Sequence, residues 1–387
     1  MDFVEVVMES SVDLLQEVVV TALGIKREEK ALGYSVRSVG EEEIRNMSSV
    51  NPLGALAGLS SGLQVSASGG GAGGSTKVLI RGASSLTGSN DPLYVVDGVP
   101  MNNAGGVSGS QFGGFDYGNA ANNINLSDIE SISILKGGAA SALYGARGQN
   151  GVIMITTRSG SRREGIGIGY QTSFSFEQAL IVPDFQNLYS QGSSRQFERL
   201  GVKSWGALMH GQQVSNFLNQ PQILLPSTEH PYDFFRTATN YDQTLSLDKR
   251  GETNAVFFSA SWNQNKGILP GNQLDRKSFN LRYESQMARF LSFDARANFV
   301  QQQADNRPNL AGSPDNPVYL FASMPRSVRL EHLERFQTTD GYPVVWNSLY
   351  KENPDGTIAW DLERPAFASS PLLQNPFWAT NLNTNAD

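Results

Sequence analysis

Lys77-Val78-Leu79-Ile80-Arg81-Gly82, Pro92-Leu93-Tyr94-Val95-Val96-Asp97-Gly98, Ser131-Ile132-Ser133-Ile134-Leu135-Lys136 and Gly151-Val152-Ile153-Met154-Ile155-Thr156-Thr157 are four short apolar runs within residues 76–158. Each has the length of a strand, is rich in β-branched residues and is bounded by Gly, Asn, Asp or Pro. Between the last two lies Gly138-Ala139-Ala140-Ser141-Ala142-Leu143-Tyr144-Gly145, which reads as a short helix closed by a glycine. Four strands and one helix predict a compact mixed α/β unit, small for its number of glycine-rich loops.

Ordered blocks run through this unit: Arg81-Gly82, then Asp91-Pro92-Leu93-Tyr94-Val95-Val96-Asp97-Gly98-Val99-Pro100, then Asp128-Ile129-Glu130-Ser131-Ile132-Ser133-Ile134-Leu135-Lys136-Gly137-Gly138, then Ala142-Leu143-Tyr144-Gly145-Ala146-Arg147-Gly148-Gln149-Asn150-Gly151-Val152-Ile153. Together they resemble the plug domain of TonB-dependent outer-membrane transporters, in particular the SusC/RagA type found in Bacteroidota. The resemblance implies a flexible segment over residues 1–24 and a mixed α/β plug over 25–160. Over 161–387 it implies the first antiparallel strands and extracellular loops of a transmembrane β-barrel. Arg81, Gly82, Asp97, Gly98, Lys136, Tyr144, Gly145, Arg147, Asn150 and Gly151 are the residues expected to hold the plug together.

Past the plug the period changes to two. Ile166, Ile168, Tyr170, Thr172, Phe174 and Phe176 alternate with Gly167, Gly169, Gln171, Ser173, Ser175 and Glu177. A strand between lipid and a polar lumen needs this alternation. It recurs with Val256, Phe258, Ala260 and Trp262, with Phe279, Leu281 and Tyr283, and with Leu291, Phe293, Ala295, Ala297 and Phe299; residues 241–247 carry a weaker copy. Long connections (178–238, 264–277) alternate with short ones, which places the long loops outside the cell and the short turns in the periplasm. After Gln303 the prolines break the pattern, and a further extracellular loop is expected. Five strands cannot enclose a plug; about 22 are needed for a plugged lumen, so a longer chain or a partner is expected to complete the wall.

Several local features carry open readings. Residues 26–30 read as a charged link, and residues 41–59 as two short helices parted by Pro52. Arg81, beside an apolar run, is expensive to bury alone. It is expected either to pair with Asp97 or Glu130 or to face a polar barrel wall; Lys136 and Arg147 are read the same way. Residues 100–124 form a long loop in which Phe112, Phe115 and Tyr117, with Asn102 and Asn103, suit a sugar or peptide ligand or, equally, packing on the wall. Gly69, Gly71 and Gly74 fit a dinucleotide fingerprint only formally, because a strand and not a helix follows.

Composition narrows the function. The 387 residues include no cysteine, which excludes disulfides and thiolate metal sites, and the formal charge of −7 argues against nucleic acid. No run approaches the length of a membrane-spanning helix, so a membrane role requires a closed barrel. No signal peptide is visible at Met1, and the chain reads as an exported, mature one. His210, His230 and His332 lie far apart without ligand spacing, no catalytic motif is present, and neither an enzyme nor a cofactor nor a metal is expected.

Near the N-terminus, Glu17-Val18-Val19-Val20-Thr21-Ala22 is a β-branched run of the kind that adds to another protein's sheet edge. The resemblance makes it a TonB box that binds the periplasmic energy transducer TonB. It also implies active import of a glycan or oligopeptide and a SusD-like surface lipoprotein as lid. The alternatives are a SusC-like structural scaffold in an outer-membrane assembly, or a soluble carbohydrate-binding β protein.

Overall fold

A computed structural model describes residues 18–20, 26–28, 36–45, 53–58, 60–86, 89–101, 113–160, 165–313, 316–342, 344–348, 350–360 and 375–381. The first element is an antiparallel hairpin of β1 (Val18–Val20) and β2 (Lys26–Glu28). Residues 26–28 are therefore a strand, not a plain link.

The plug is built on β3 (Val36–Gly40), α1 (Glu41–Arg45), a 3₁₀ turn at Gly54–Leu56, β4 (Leu63–Ala67), β5 (Thr76–Ile80), β6 (Leu93–Val96), β7 (Val99–Pro100), β8 (Ile129–Leu135), α2 (Gly138–Tyr144) and β9 (Val152–Thr157). Five strands form one sheet in the order β3-β8-β9-β6-β7; β6 and β9 run parallel, and every other neighbouring pair is antiparallel. Strands β4 and β5 form a separate hairpin. The central strand β9 is apolar at successive positions because both of its faces are covered. Ile153 and Ile155 pack with Tyr94, Ile132 and Ile134, whereas Val152 and Met154 pack with Val95, Leu135 and Ala140 of α2. Gly151 opens β9 at φ +95, and a Cβ there would stand 2.7 Å from Ile80 Cδ1 and 3.0 Å from the Leu135 carbonyl.

The chain then enters β10 (Gly165–Glu177). Two small hairpins follow, β11 (Gly192–Ser193) with β12 (Gln196–Phe197) and β13 (Gln213–Ser215) with β14 (Pro221–Ile223). Four long strands complete the wall: β15 (Ala238–Arg250), β16 (Asn254–Lys266), β17 (Gln273–Ala288) and β18 (Leu291–Asp305). They pair antiparallel in the order β10-β15-β16-β17-β18, as an open sheet among the described residues. The β16–β17 connection spans only residues 267–272, shorter than the 264–277 expected, because polar Asn265, Lys266 and Asp275 continue the ladders.

Register makes the two faces chemically opposite. Two outward rows cross all five strands: Tyr170, Leu245, Ala260, Phe279 and Phe299, then Ile168, Leu247, Phe258, Leu281 and Ala297. The inward row between them is Gly169, Ser246, Ser259, Asn280 and Asn298. Ile166, Ile168 and Phe174 are 74%, 74% and 58% exposed, so the apolar side is turned away from the protein.

On the long-loop side, α3 (Pro317–Ser323), α4 (Leu330–Leu333), the hairpin β19 (Tyr350–Glu352) with β20 (Ile358–Trp360), and α5 (Pro376–Asn381) join residues from 178–237. Phe217, Phe234, Leu269, Phe321, Trp346 and Tyr350 form a buried core there. The described residues of the proline-rich stretch thus form a folded layer where a loop was expected. Its elements are only three to seven residues long, several of them bounded by prolines (Pro317, Pro325, Pro354, Pro376), so no period of two or 3.6 develops to announce it.

Candidate functional site

The plug meets the inward face of the wall at three levels. At the short-turn end, the β6–β7 turn puts Asp97 at φ +50 and Gly98 at φ +87. That left-handed pair makes the two-residue hairpin possible. It also aims the Asp97 carboxylate at β9, where it accepts from Thr157 N (2.9 Å) and Oγ1 (2.6 Å), and at the wall, where Arg296 Nη1 lies 3.0 Å away. Arg282 donates to the Thr157 carbonyl at 2.9 Å and is itself held by Glu284 (2.5 Å) and Asp294 (3.2 Å). One plug turn and one plug strand end are thereby fixed to β17 and β18.

In the same row as Arg282, Phe257 has Arg158 5.6 Å from its ring centroid, and Arg158 pairs with Glu41 at 2.9 Å; the contacts at mid-height are polar. Asn125 donates to Thr244 Oγ1 at 3.0 Å and Ser127 to Gln171 Oε1 at 3.2 Å. Asp128 is only 4% exposed and faces Ser259 and Asn280 of the inward polar row. Burial pushes its carboxyl up to about 6, against the lowering pull of Ser259, Arg158 and Asn280.

Toward the long-loop side, the glycine-rich plug loop and residues 113–118 are gripped from the wall. Asp116 is fully buried and accepts from Ser75 N (2.7 Å), Ser75 Oγ, Ser68 Oγ and Gly118 N (2.9 Å). Burial alone would raise this carboxyl, but the four donors together hold it below the ordinary carboxylate range. Arg307 donates to the Asp116 carbonyl at 2.7 Å, and Asn309 Oδ1 accepts from Gly114 N at 2.7 Å. Asn272, with no exposed surface, accepts from Ala72 N at 2.7 Å while its Nδ2 donates to the Asp305 and Asn306 carbonyls, each at 3.2 Å. Its own carbonyl accepts from Gly267 N and Arg236 Nη2, both at 3.0 Å. A side chain at Gly71 or Gly267 would strike Asn272 Oδ1.

Arg81 is not the buried cation its neighbours suggested. It is exposed at φ +62, just after β5, with its side chain beside Gly137; Asp97 is taken by Arg296 and Thr157. Gly82 follows at φ +85. Lys136 donates to the Ser61 carbonyl at 2.8 Å, and Arg147 is exposed in the 3₁₀ turn after α2. Gly145 ends α2 at φ +62, and Tyr144 Oη lies 3.7 Å from Met154 Sδ. Asn150 ties two loops, donating to the Ser89 carbonyl at 2.8 Å and accepting from Ser84 Oγ at 3.1 Å. Phe115 and Tyr117 are exposed with ring centroids 6.5 Å apart, on either side of buried Asp116; Asn102, Asn103 and Phe112 lie outside the described residues. Of the N-terminal run, Val18–Val20 form β1, and Glu17, Thr21 and Ala22 lie outside the described residues. Asp116, Asn272 and Arg307 are contact residues that the sequence reading missed. Nothing local marks them, since each acts across a separation of dozens to hundreds of residues.

A folded α/β unit bonded to the polar face of an antiparallel sheet, whose other face is apolar, defines a plug-and-barrel protein. Residues 28–152 match the family model described as TonB-dependent Receptor Plug Domain. Over 98% of the chain and 34% of the relative's length, it is 27% identical to the TonB-dependent receptor SusC of Bacteroides thetaiotaomicron. It is 35% identical to the TonB-dependent receptor P3 of Formosa agariphila, over 70% of this chain and 23% of that one. The RagAB peptide importer in its "open-open" state shares the fold, with a TM-score of 0.63 at 20% identity over 94% of this chain and 38% of that chain. Residues 28–152 are thus a TonB-dependent receptor plug domain, and the chain as a whole is similar to the plug and first wall strands of SusC. It spans about a third of the length of its SusC relative.

Proposed function

We propose that this chain is the plug and first wall strands of a TonB-dependent importer that carries a large polar nutrient, a glycan or oligopeptide, across the bacterial outer membrane. The observation that carries this reading is the docking of a complete α/β unit on the inward polar rows by Asp97–Arg296 and Arg282–Thr157, behind outward rows that are wholly apolar. A wide pore has to stay shut by default, and a stopper held by many directional bonds does that. Opening it requires work delivered from the short-turn side, which becomes the periplasmic side. The segment Glu17–Ala22 is the point of attachment for TonB, which adds a strand to β1. A SusD-like lipoprotein covers the long-loop layer, where Trp205 and Leu208 are exposed. Phe115 and Tyr117, with Asn102, Asn103 and Phe112, face the incoming ligand.

Deleting residues 17–22 tests the energised step. Uptake is expected to collapse while membrane insertion and surface ligand binding stay at the level of the parent. Unchanged uptake would instead favour the scaffold role. Co-purification in detergent with a surface lipoprotein tests the lid.

A further inference from the structure

On the outward face of the wall, the aromatic residue nearest the long-loop side steps down one outward position per strand. It is Phe176 on β10, Tyr241 on β15, Trp262 on β16 and Phe279 on β17, and it then passes level to Phe299 on β18. Phe176, Phe174, Tyr241 and Trp262 follow one another with ring centroids 4.6, 6.2 and 6.1 Å apart, and Phe279 stands 6.4 Å from Phe299. Three steps of two residues over four strand spacings are about 20 Å against about 19 Å. That is the slope of a level line drawn across strands tilted by roughly 45°. The aromatic line therefore marks a single height, the upper limit of the apolar band.

Immediately above it the outward positions turn polar: Gln264 and Lys266 on β16, Lys277 and Asp275 on β17, Gln301 and Gln303 on β18. The two outward acids here are engaged. Asp275 accepts from Trp262 Nε1 at 2.8 Å, and Asp305 accepts from Gln273 at 2.8 Å and from Gln303 at 3.2 Å. Lys266 and Lys277 are exposed, and among the described residues neither is in an ion pair. We propose that this outward shelf binds the phosphorylated sugar headgroup of an outer-leaflet glycolipid, with Lys277 and Lys266 on phosphate and the amides of Gln264 and Gln301 on sugar hydroxyls. The inference rests on the outer-membrane reading for the side that faces glycolipid, and not on what the receptor imports. A lysine lays its stem on apolar surface and holds its ammonium at headgroup height, where three N–H donors meet phosphate oxygens. Side-chain amides match hydroxyl groups in either sense. Trp262, apolar in body and bonded at its polar tip, suits the level where sugar passes into acyl chain. A zwitterionic phospholipid carries its own ammonium beside its phosphate, which competes with the lysines, and it offers the amides no set of hydroxyls.

Native mass spectrometry of the full chain in detergent tests the shelf, with monophosphoryl lipid A as the probe. The parent is expected to retain roughly fivefold more of it than the double variant Lys266→Gln/Lys277→Gln. The dephosphorylated form of the same lipid, and phosphatidylcholine, are expected to be retained weakly and equally by both. Lys249→Gln alters an exposed outward lysine at the short-turn end and is expected to behave as the parent. Equal retention by parent and double variant, equal retention of phosphatidylcholine and the phosphorylated glycolipid, or a loss as large in Lys249→Gln would each overturn the proposal. A dimer that the double variant dissociates, with no lipid retained, would assign the face to a second copy instead. Insertion into phosphatidylcholine bilayers is scored alongside: a chain that does not insert sinks the barrel reading too, whereas insertion without glycolipid preference overturns this inference alone. Deletion of residues 17–22 is expected to leave retention unchanged, which separates it from failure of energised uptake.

Discussion

Asp128 sits where the plug touches the wall, and its carboxyl is asked to ionise among buried neighbours. Its folded-state value is raised from 3.8 to about 6. The sign follows from linkage: the protonated form is favoured by folding, so this residue's contribution is most favourable below about pH 4 and is lost as pH rises through 6. The difference is about 3 kcal/mol. Asp128→Asn is expected to flatten the pH dependence of the unfolding midpoint between pH 4 and 6 and to stabilise the protein at neutral pH. Thermal unfolding across a pH series measures both. At Gly151 the demand is steric: Gly151→Ala meets Ile80 and the Leu135 carbonyl and also strains a φ of +95. A loss of about 3 kcal/mol is expected in denaturant unfolding. These two residues differ in how far the sequence exposed them. Gly151 stood at the mouth of an apolar run and was legible as a turn glycine. Asp128 opened a recognisable block, but its environment comes from Ser259 and Asn280, more than a hundred residues away.

At the scale of elements, alternation carried the reading well where both faces are pure. Over their central positions, strands β10, β16, β17 and β18 show an apolar side and a polar side broken only at a few positions, Thr172 on the outward side and Phe257 and Val300 on the inward side. Strand β15 was fainter because its outward side includes Gln243 and Lys249, which lie at the margins of the apolar rows. The hairpin of β1 and β2 was missed because Lys26-Arg27-Glu28 has no apolar face at all; only main-chain bonding to Val18–Val20 makes it a strand. The two faces of one strand give a direct comparison. Leu281→Arg puts a charge in the outward apolar row and is expected to cost about 2–4 kcal/mol in refolding into bilayers, whereas Asn298→Arg on the inward face is expected to cost far less. Equal penalties at the two positions would contradict the assignment of faces.

At the scale of the whole molecule, the sequence separated plug from wall but did not disclose how the outer layer joins them. That layer buries Trp346 and Tyr350 among residues drawn from 217 to 358, a core assembled without any regular pattern. Links to the plug at this end pass through Arg307, Asn309 and Asn272. Asn272→Ala removes the acceptor for Ala72 N and two donors to β18 and its continuation. Loss of a buried hydrogen bond costs about 1–3 kcal/mol, so amide exchange at Ala72 is expected to quicken by roughly ten- to a hundredfold, with the β8–β9 amides unchanged. Hydrogen-exchange mass spectrometry reads both segments at once. One residue that bonds the stopper and the end of a wall strand through its side chain, and the rim hairpin through its carbonyl, cannot release any of them singly. Disturbance at the outer rim and loosening of the stopper are for that reason a single event, and a cargo that only half displaces the rim gains no passage.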